Sequence, residues 1–185
     1  PGHSSAASDV YKRQEQLTVE QLHHRLEHSD EHVRAWAIRL LSDFWPLDTI
    51  LGPKPDTRYP EAPATWAKLQ DMAETDSSGI VLLTLASTLQ RLPIEERLRI
   101  AEALVRREAY AEDPQLPGLV WYGLIPLGQH RPDLLVQLNR DCCWPQLNQW
   151  SARLLASQAK DHPEPFNSLL TVSYTHLTLP TNDQV

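Results

Sequence analysis

The 185-residue chain has little cysteine, no surplus of positive charge and no long hydrophobic run, and each shortage excludes a class of protein. Its two cysteines, Cys142 and Cys143, are adjacent, and neighbouring residues seldom reach disulfide geometry without strain. A disulfide framework is therefore not expected, and with no C-x-x-C spacing neither is a zinc or thiol-exchange site. The formal net charge is −7 with no basic stripe, which argues against nucleic acid as a partner. No apolar run approaches the roughly 20 residues needed to cross a bilayer, so direct membrane insertion is not expected. Convergent nucleophile, base and acid are also missing. The sequence assigns no catalytic, cofactor-binding or metal residues, and the chain itself is not expected to be an enzyme.

Both ends stand apart from the rest. Ser4 to Gln14 reads SSAASDVYKRQ and Val172 to Thr181 reads VSYTHLTLPT. The two strings can be encoded by opposite strands of one DNA element, which resembles the transposon-end adapter of sequencing libraries. Residues 1–14 and 171–185 are accordingly expected to be translated adapter with its flanks, disordered and outside the fold. The polar–apolar alternation of Val172 to Leu179 is for that reason not read as a strand. Glu15 to Leu170 then forms one domain on the usual size prior.

That domain reads as all-α. Thr18 with Gln21 forms a candidate capping box for a first helix that runs to about His28. Ser29 and Asp30 cap a second, SDEHVRAWAIRLL, in which Val33, Trp36, Ala37, Leu40 and Leu41 form an apolar stripe. Further helices are expected over Ala64 to Glu74, Ser77 to Leu92 with Asp76 as cap, and from Pro93 to a break at Glu112-Asp113-Pro114. Others follow at Leu116 to Leu127, Pro132 to Arg140 and Pro145 to Ala159, with a ninth opening at Pro163. Leu116 to Leu127 is apolar on all sides and is expected to be buried, Trp121 and Tyr122 included. Trp36→Ala and Trp121→Ala would then each cost about 3 to 5 kcal/mol.

Polar clusters have ordinary explanations. His23, His24, His28 and His32 include i, i+4 pairs, but a helix break falls between His28 and His32 and no cysteine or firmly placed carboxylate completes a metal shell. They are expected to form a solvated face. Arg97, Arg99, Arg106 and Arg107 are likewise expected to stay in water. Pro46, Pro53, Pro55, Pro60 and Pro63 exclude a helix interior and predict a long loop, packed through Trp45, Ile50, Leu51 and Tyr59.

Trp36-Ala-Ile-Arg-Leu-Leu41 returns as Trp150-Ser-Ala-Arg-Leu-Leu155. Second helices begin near residues 30, 76, 116 and 145, a period of roughly forty residues. The fold predicted is an α-solenoid of about four helical hairpins with a Pro-rich loop after the first, and it resembles a HEAT array. Asp30, Val33 and Arg34 match that repeat's Asp-x-x-Val-Arg, whose acid and base pair between neighbours. Leu82 follows Val81 where the next arginine belongs, so such a ladder is expected to break there.

EHVRAWAIRLL, SSGIVLLTLASTLQRLP, LRIAEALVRREAYAEDPQLPGLVWYGLIPL and CCWPQLNQWSARLLA resemble, in order, the helical-repeat section of PVC-type haem-binding, membrane-bound dehydrogenase-like proteins. In that family the section joins a sugar-dehydrogenase-like propeller to a cytochrome c domain whose C-x-x-C-H carries haem c. Cys142-Cys143-Trp144 offers neither that spacing nor the axial histidine. The resemblance implies a non-catalytic scaffold or spacer in the periplasm or cell envelope, with the flanking domains as partners. The other reading is a free-standing HEAT-repeat module that binds a protein partner. Apolar end faces would fit the spacer, and polar terminal helices the module.

Overall fold

The computed structural model describes residues 17–43, 45–47, 63–161 and 163–176, with side chains described as far as residue 171. Among these the chain is all-helical. Nine α-helices follow one another: α1 (Val19–Arg25), α2 (Glu31–Ser42), α3 (Pro63–Thr75), α4 (Gly79–Thr88), α5 (Ile94–Val105), α6 (Leu116–His130), α7 (Pro132–Arg140), α8 (Pro145–Gln158) and α9 (Pro163–His176). Short 3-10 turns follow α4 at Leu89–Arg91 and α5 at Glu108–Tyr110.

Local chemistry explains most boundaries. Thr18 and Gln21 form the full capping box at α1, and Asp30 accepts the His32 amide at 2.8 Å to open α2. At α4 the cap is Ser78 and not Asp76, whose carboxylate instead accepts the Ser78 amide at 2.9 Å. Prolines at the first turn start α6, α7 and α8, where a missing amide hydrogen costs nothing. The backbone of α9 continues to His176, six residues beyond the boundary set at Leu170. Of the residues expected to pack the Pro-rich loop, Ile50, Leu51 and Tyr59 lie outside the described residues. Trp45 is buried and meets Trp66 edge-on, ring centroids 6.4 Å apart.

Helices pack mainly on the neighbour two places along as well as on their hairpin partner. α2 lies on α4, α4 on α6 and α6 on α8, while α3 lies on α5, α5 on α7 and α7 on α9. The result is an even layer (α2, α4, α6, α8) and an odd layer (α1, α3, α5, α7, α9) with one core between them. Leu82, Leu85, Leu89, Ile100, Leu104, Leu124 and Leu135 are buried there.

Several sequence expectations are corrected by this packing. In α2 the inward residues are Ala35, Ala37, Ile38, Leu41 and Ser42, and Trp36 is 58% exposed. Small residues share the buried arc with Ile38 and Leu41, and the tryptophan is left on the outer ridge beside Ser87 and Thr88 of α4. Tyr122 is also exposed, at 51%, and Trp121 is half-buried against Trp150 with ring centroids 5.9 Å apart. Helix α6 therefore has an outer side despite its composition. Arg97, expected in water, is fully buried, with Nε donating to the Leu92 carbonyl at 2.8 Å and Nη1 to that of Gly123 at 3.0 Å. Arg107 is half-buried, whereas Arg99 and Arg106 are exposed.

Gly123 marks the closest approach of α6 to the turn after α4. A Cβ there would lie 2.6 Å from Leu89 Cβ, an atom fixed to its own backbone. Gly123→Ala is expected to destabilise by about 1–3 kcal/mol through overpacking. At Gly128 the added carbon would meet Leu154 Cδ2 at 2.2 Å, the end of a flexible side chain. Gly128→Ala should cost less, and urea unfolding of the two variants measures the order.

Candidate functional site

Two features connect the hairpins: a polar seam along one edge and an open groove on the even layer. The seam joins the turns inside all four hairpins. Arg34 holds Asp76 with both prongs, Nε to Oδ2 at 2.7 Å and Nη2 to Oδ1 at 2.9 Å. Its remaining nitrogen, Nη1, donates to the carbonyls of His28 at 2.8 Å and Ser29 at 3.0 Å. Ser78 adds a hydrogen bond to the Glu31 carboxylate. The second turn is joined to the third by Arg107, which donates to the Asp76 carbonyl, and by Tyr110, whose hydroxyl donates to the Ser77 carbonyl at 3.0 Å. The third is joined to the fourth by Trp144 Nε1, which donates to the Arg107 carbonyl at 2.9 Å, and by the Cys143 amide on the Val105 carbonyl at 2.9 Å.

The acid–base ladder does stop at Leu82, as its side chain requires, but the linkage does not. Arg107, just past α5, supplies the guanidinium that the start of α4 lacks, and carbonyls replace carboxylates as acceptors. Burial alone would raise the Asp76 pKa, but hydrogen bonds from Arg34 and the Ser78 amide, with the charges of Arg34 and Arg107, hold it below its ordinary value. A depressed carboxylate contributes stability above the unfolded value of 3.8 and loses it as pH falls through the lower folded value. Asp76→Asn is expected to weaken the acid-induced loss of stability, measured by unfolding at a series of pH values from neutral downward.

The groove runs across the outer ridges of α2, α4 and α6. One depression of about 370 Å³ lies between Trp36, Arg39 and Leu40 of α2 and Ser87 and Thr88 of α4. A second, of about 270 Å³, is bounded by Ile80 and Leu83 of α4 and Leu119 of α6. Arg39 and Ser87 line both, so the two are continuous. The Arg39 guanidinium carbon stands 5.2 Å from the centre of the Trp36 ring, a cation–π contact in the open. Asp43 and Arg91 also line the first depression as an ion pair 3.9 Å apart, and Arg91 donates to the carbonyls of Asp43 at 3.1 Å and Trp45 at 2.8 Å just past α2.

The sequence singled out other polar clusters, and the structure disperses them. His23 Nε2 lies 2.8 Å from Thr65 Oγ1, and His28 Nδ1 accepts the Asp30 amide at 3.0 Å. Burial, then the nearby Lys68 charge, lowers the His23 pKa. Among the described residues no group of three or more His, Cys, Asp or Glu is placed to hold a metal ion. Cys142 is largely covered and its thiol is pushed up to about 11 by burial, while Cys143 is exposed. No helix among the described residues is long and apolar enough to cross a membrane. Comparison with known protein families, with curated proteins and with solved structures finds no match to this chain.

Proposed function

We propose that this chain is a non-catalytic helical-repeat scaffold of the HEAT kind, which sets the relative position of what it joins. The observation that carries this reading is the seam: four hairpin turns tied in order by Arg34, Asp76, Arg107 and Trp144. In a stack where each unit touches only its neighbours, stiffness depends on those nearest-neighbour ties. The family resemblance gives the scaffold a context, a spacer between a propeller and a haem-bearing domain in the cell envelope. Reading the source DNA through both ends with long reads tests it. A frame that continues upstream into a propeller and downstream into C-x-x-C-H supports the spacer. Start and stop codons close to Glu15 and Leu170 would rule it out.

A second reading, a free-standing interaction module, is favoured by the outer faces of the first and last described helices. On α1 the exposed positions Glu20, Gln21, His24 and Arg25 are polar, with Val19 the apolar exception, and on α9 Glu164, Asn167 and Ser168 are exposed beside Leu170. Those faces suit water better than another repeat.

A further inference from the structure

The two layers differ in charge. Among the helices, the odd layer carries eight acidic and five basic side chains, and the even layer one acidic, Glu31, and three basic. Glu31 accepts the Ser78 hydroxyl, and the even-layer Arg34 is neutralised by Asp76. Helices α4 and α6 carry no Asp, Glu, Lys or Arg at all. Just past α2, Asp43 lines the same depression as Arg39 and pairs with Arg91 at 3.9 Å, which leaves Arg39 and Arg153 as the exposed even-layer cations in no ion pair among the described residues. They occupy the same place in the repeated Trp-x-x-Arg-Leu-Leu, one on α2 and one on α8, at opposite ends of the layer. A chain of net charge −7 thus presents one weakly positive face, with apolar Ile80 and Tyr122 exposed between its two cations.

We propose that this face binds an extended peptide segment with an acidic side chain near each end and bulky apolar side chains between. One carboxylate pairs with Arg39, where the Trp36 ring holds the guanidinium, and the other with Arg153. The apolar side chains fill the groove against Leu83 and Leu119. Packed helices lie about 8–10 Å apart, so three steps from α2 to α8 cover on the order of 25–30 Å. An extended chain at roughly 3.3 Å per residue spans that in about eight or nine residues. The acidic odd layer repels the same peptide, which restricts docking to one side. The inference rests on the scaffold reading, because both anchors must be held at a fixed separation.

The test uses the full chain and a nine-residue probe with glutamate at both ends, leucine and phenylalanine between, and a neutral dye, followed by fluorescence anisotropy. Binding is expected to weaken at least tenfold with Arg39→Glu and with Arg153→Glu, to weaken with added salt, and to be unchanged by Arg99→Glu on the odd layer. A probe with lysine at both ends should bind at least tenfold more weakly. Equal binding of the two probes, no binding of the acidic one, or equal loss with Arg99→Glu would overturn the proposal. So would a chain that dimerises through this face and returns to monomer with Trp36→Ala. Failure of the probe in a chain whose ends stay at one fixed distance removes the docking site alone; loss of that fixed distance removes the scaffold beneath it.

Discussion

Arg97→Ala is expected to lower the stability of the chain by about 3–5 kcal/mol, seen as a lower urea midpoint. Arg97 is fully buried, and its guanidinium donates to Leu92 and Gly123, with a longer contact of 3.5 Å to the Gln90 carbonyl. Those acceptors lie on the link between α4 and α5 and on α6, so one side chain ties the link between two hairpins to the next even helix. Truncation removes the guanidinium's bonds to these carbonyls and opens a cavity in the layer interface. Arg97→Lys keeps the charge but not the planar fork, and it is expected to recover only part of the loss. A midpoint for Arg97→Ala equal to that of the parent chain would mean that these carbonyls are satisfied without it.

The second large effect is a contrast between two tryptophans. Trp144 is fully buried at the start of α8 and bonds across to Arg107. Trp144→Ala should cost about 3–5 kcal/mol as a large-to-small core change. Trp36, 58% exposed, should cost no more than about 0.5 kcal/mol on truncation as a surface change. Equilibrium unfolding of the two variants side by side measures the difference. Similar losses for both would return Trp36 to the core and close the groove.

Those two residues also mark what the sequence could and could not reveal. Helix starts were legible because they depend on local chemistry: Thr18 with Gln21, Asp30, and the prolines at 132 and 145 all act within one turn. Which side of a helix faces inward was less legible. A helix in a two-layer stack is covered by its hairpin partner and by its layer neighbours, so its buried arc is wide and can include Ala35 and Ser42 while excluding Trp36. Trp144 sits at a helix cap, where no periodic stripe includes it. Arg97 looks like any arginine on an amphipathic helix, since the Gly123 carbonyl it reaches belongs to a helix that only the fold brings near and the Leu92 carbonyl lies beyond the Pro93 break. The candidate site was half legible: the repeated Trp-x-x-Arg was visible, but its exposure and the charge difference between layers required the helices to be sorted into layers.

The most direct test of a continuous, seam-tied array is the distance between its ends. Spin labels at His24→Cys on α1 and Ser168→Cys on α9, in a Cys142→Ala and Cys143→Ala background, report that distance by pulsed electron paramagnetic resonance. A single narrow distribution, broadened when Asp76→Ala cuts the seam, is the predicted result. A broad distribution in the chain with Asp76 intact would show hairpins hinging independently, and would contradict the scaffold.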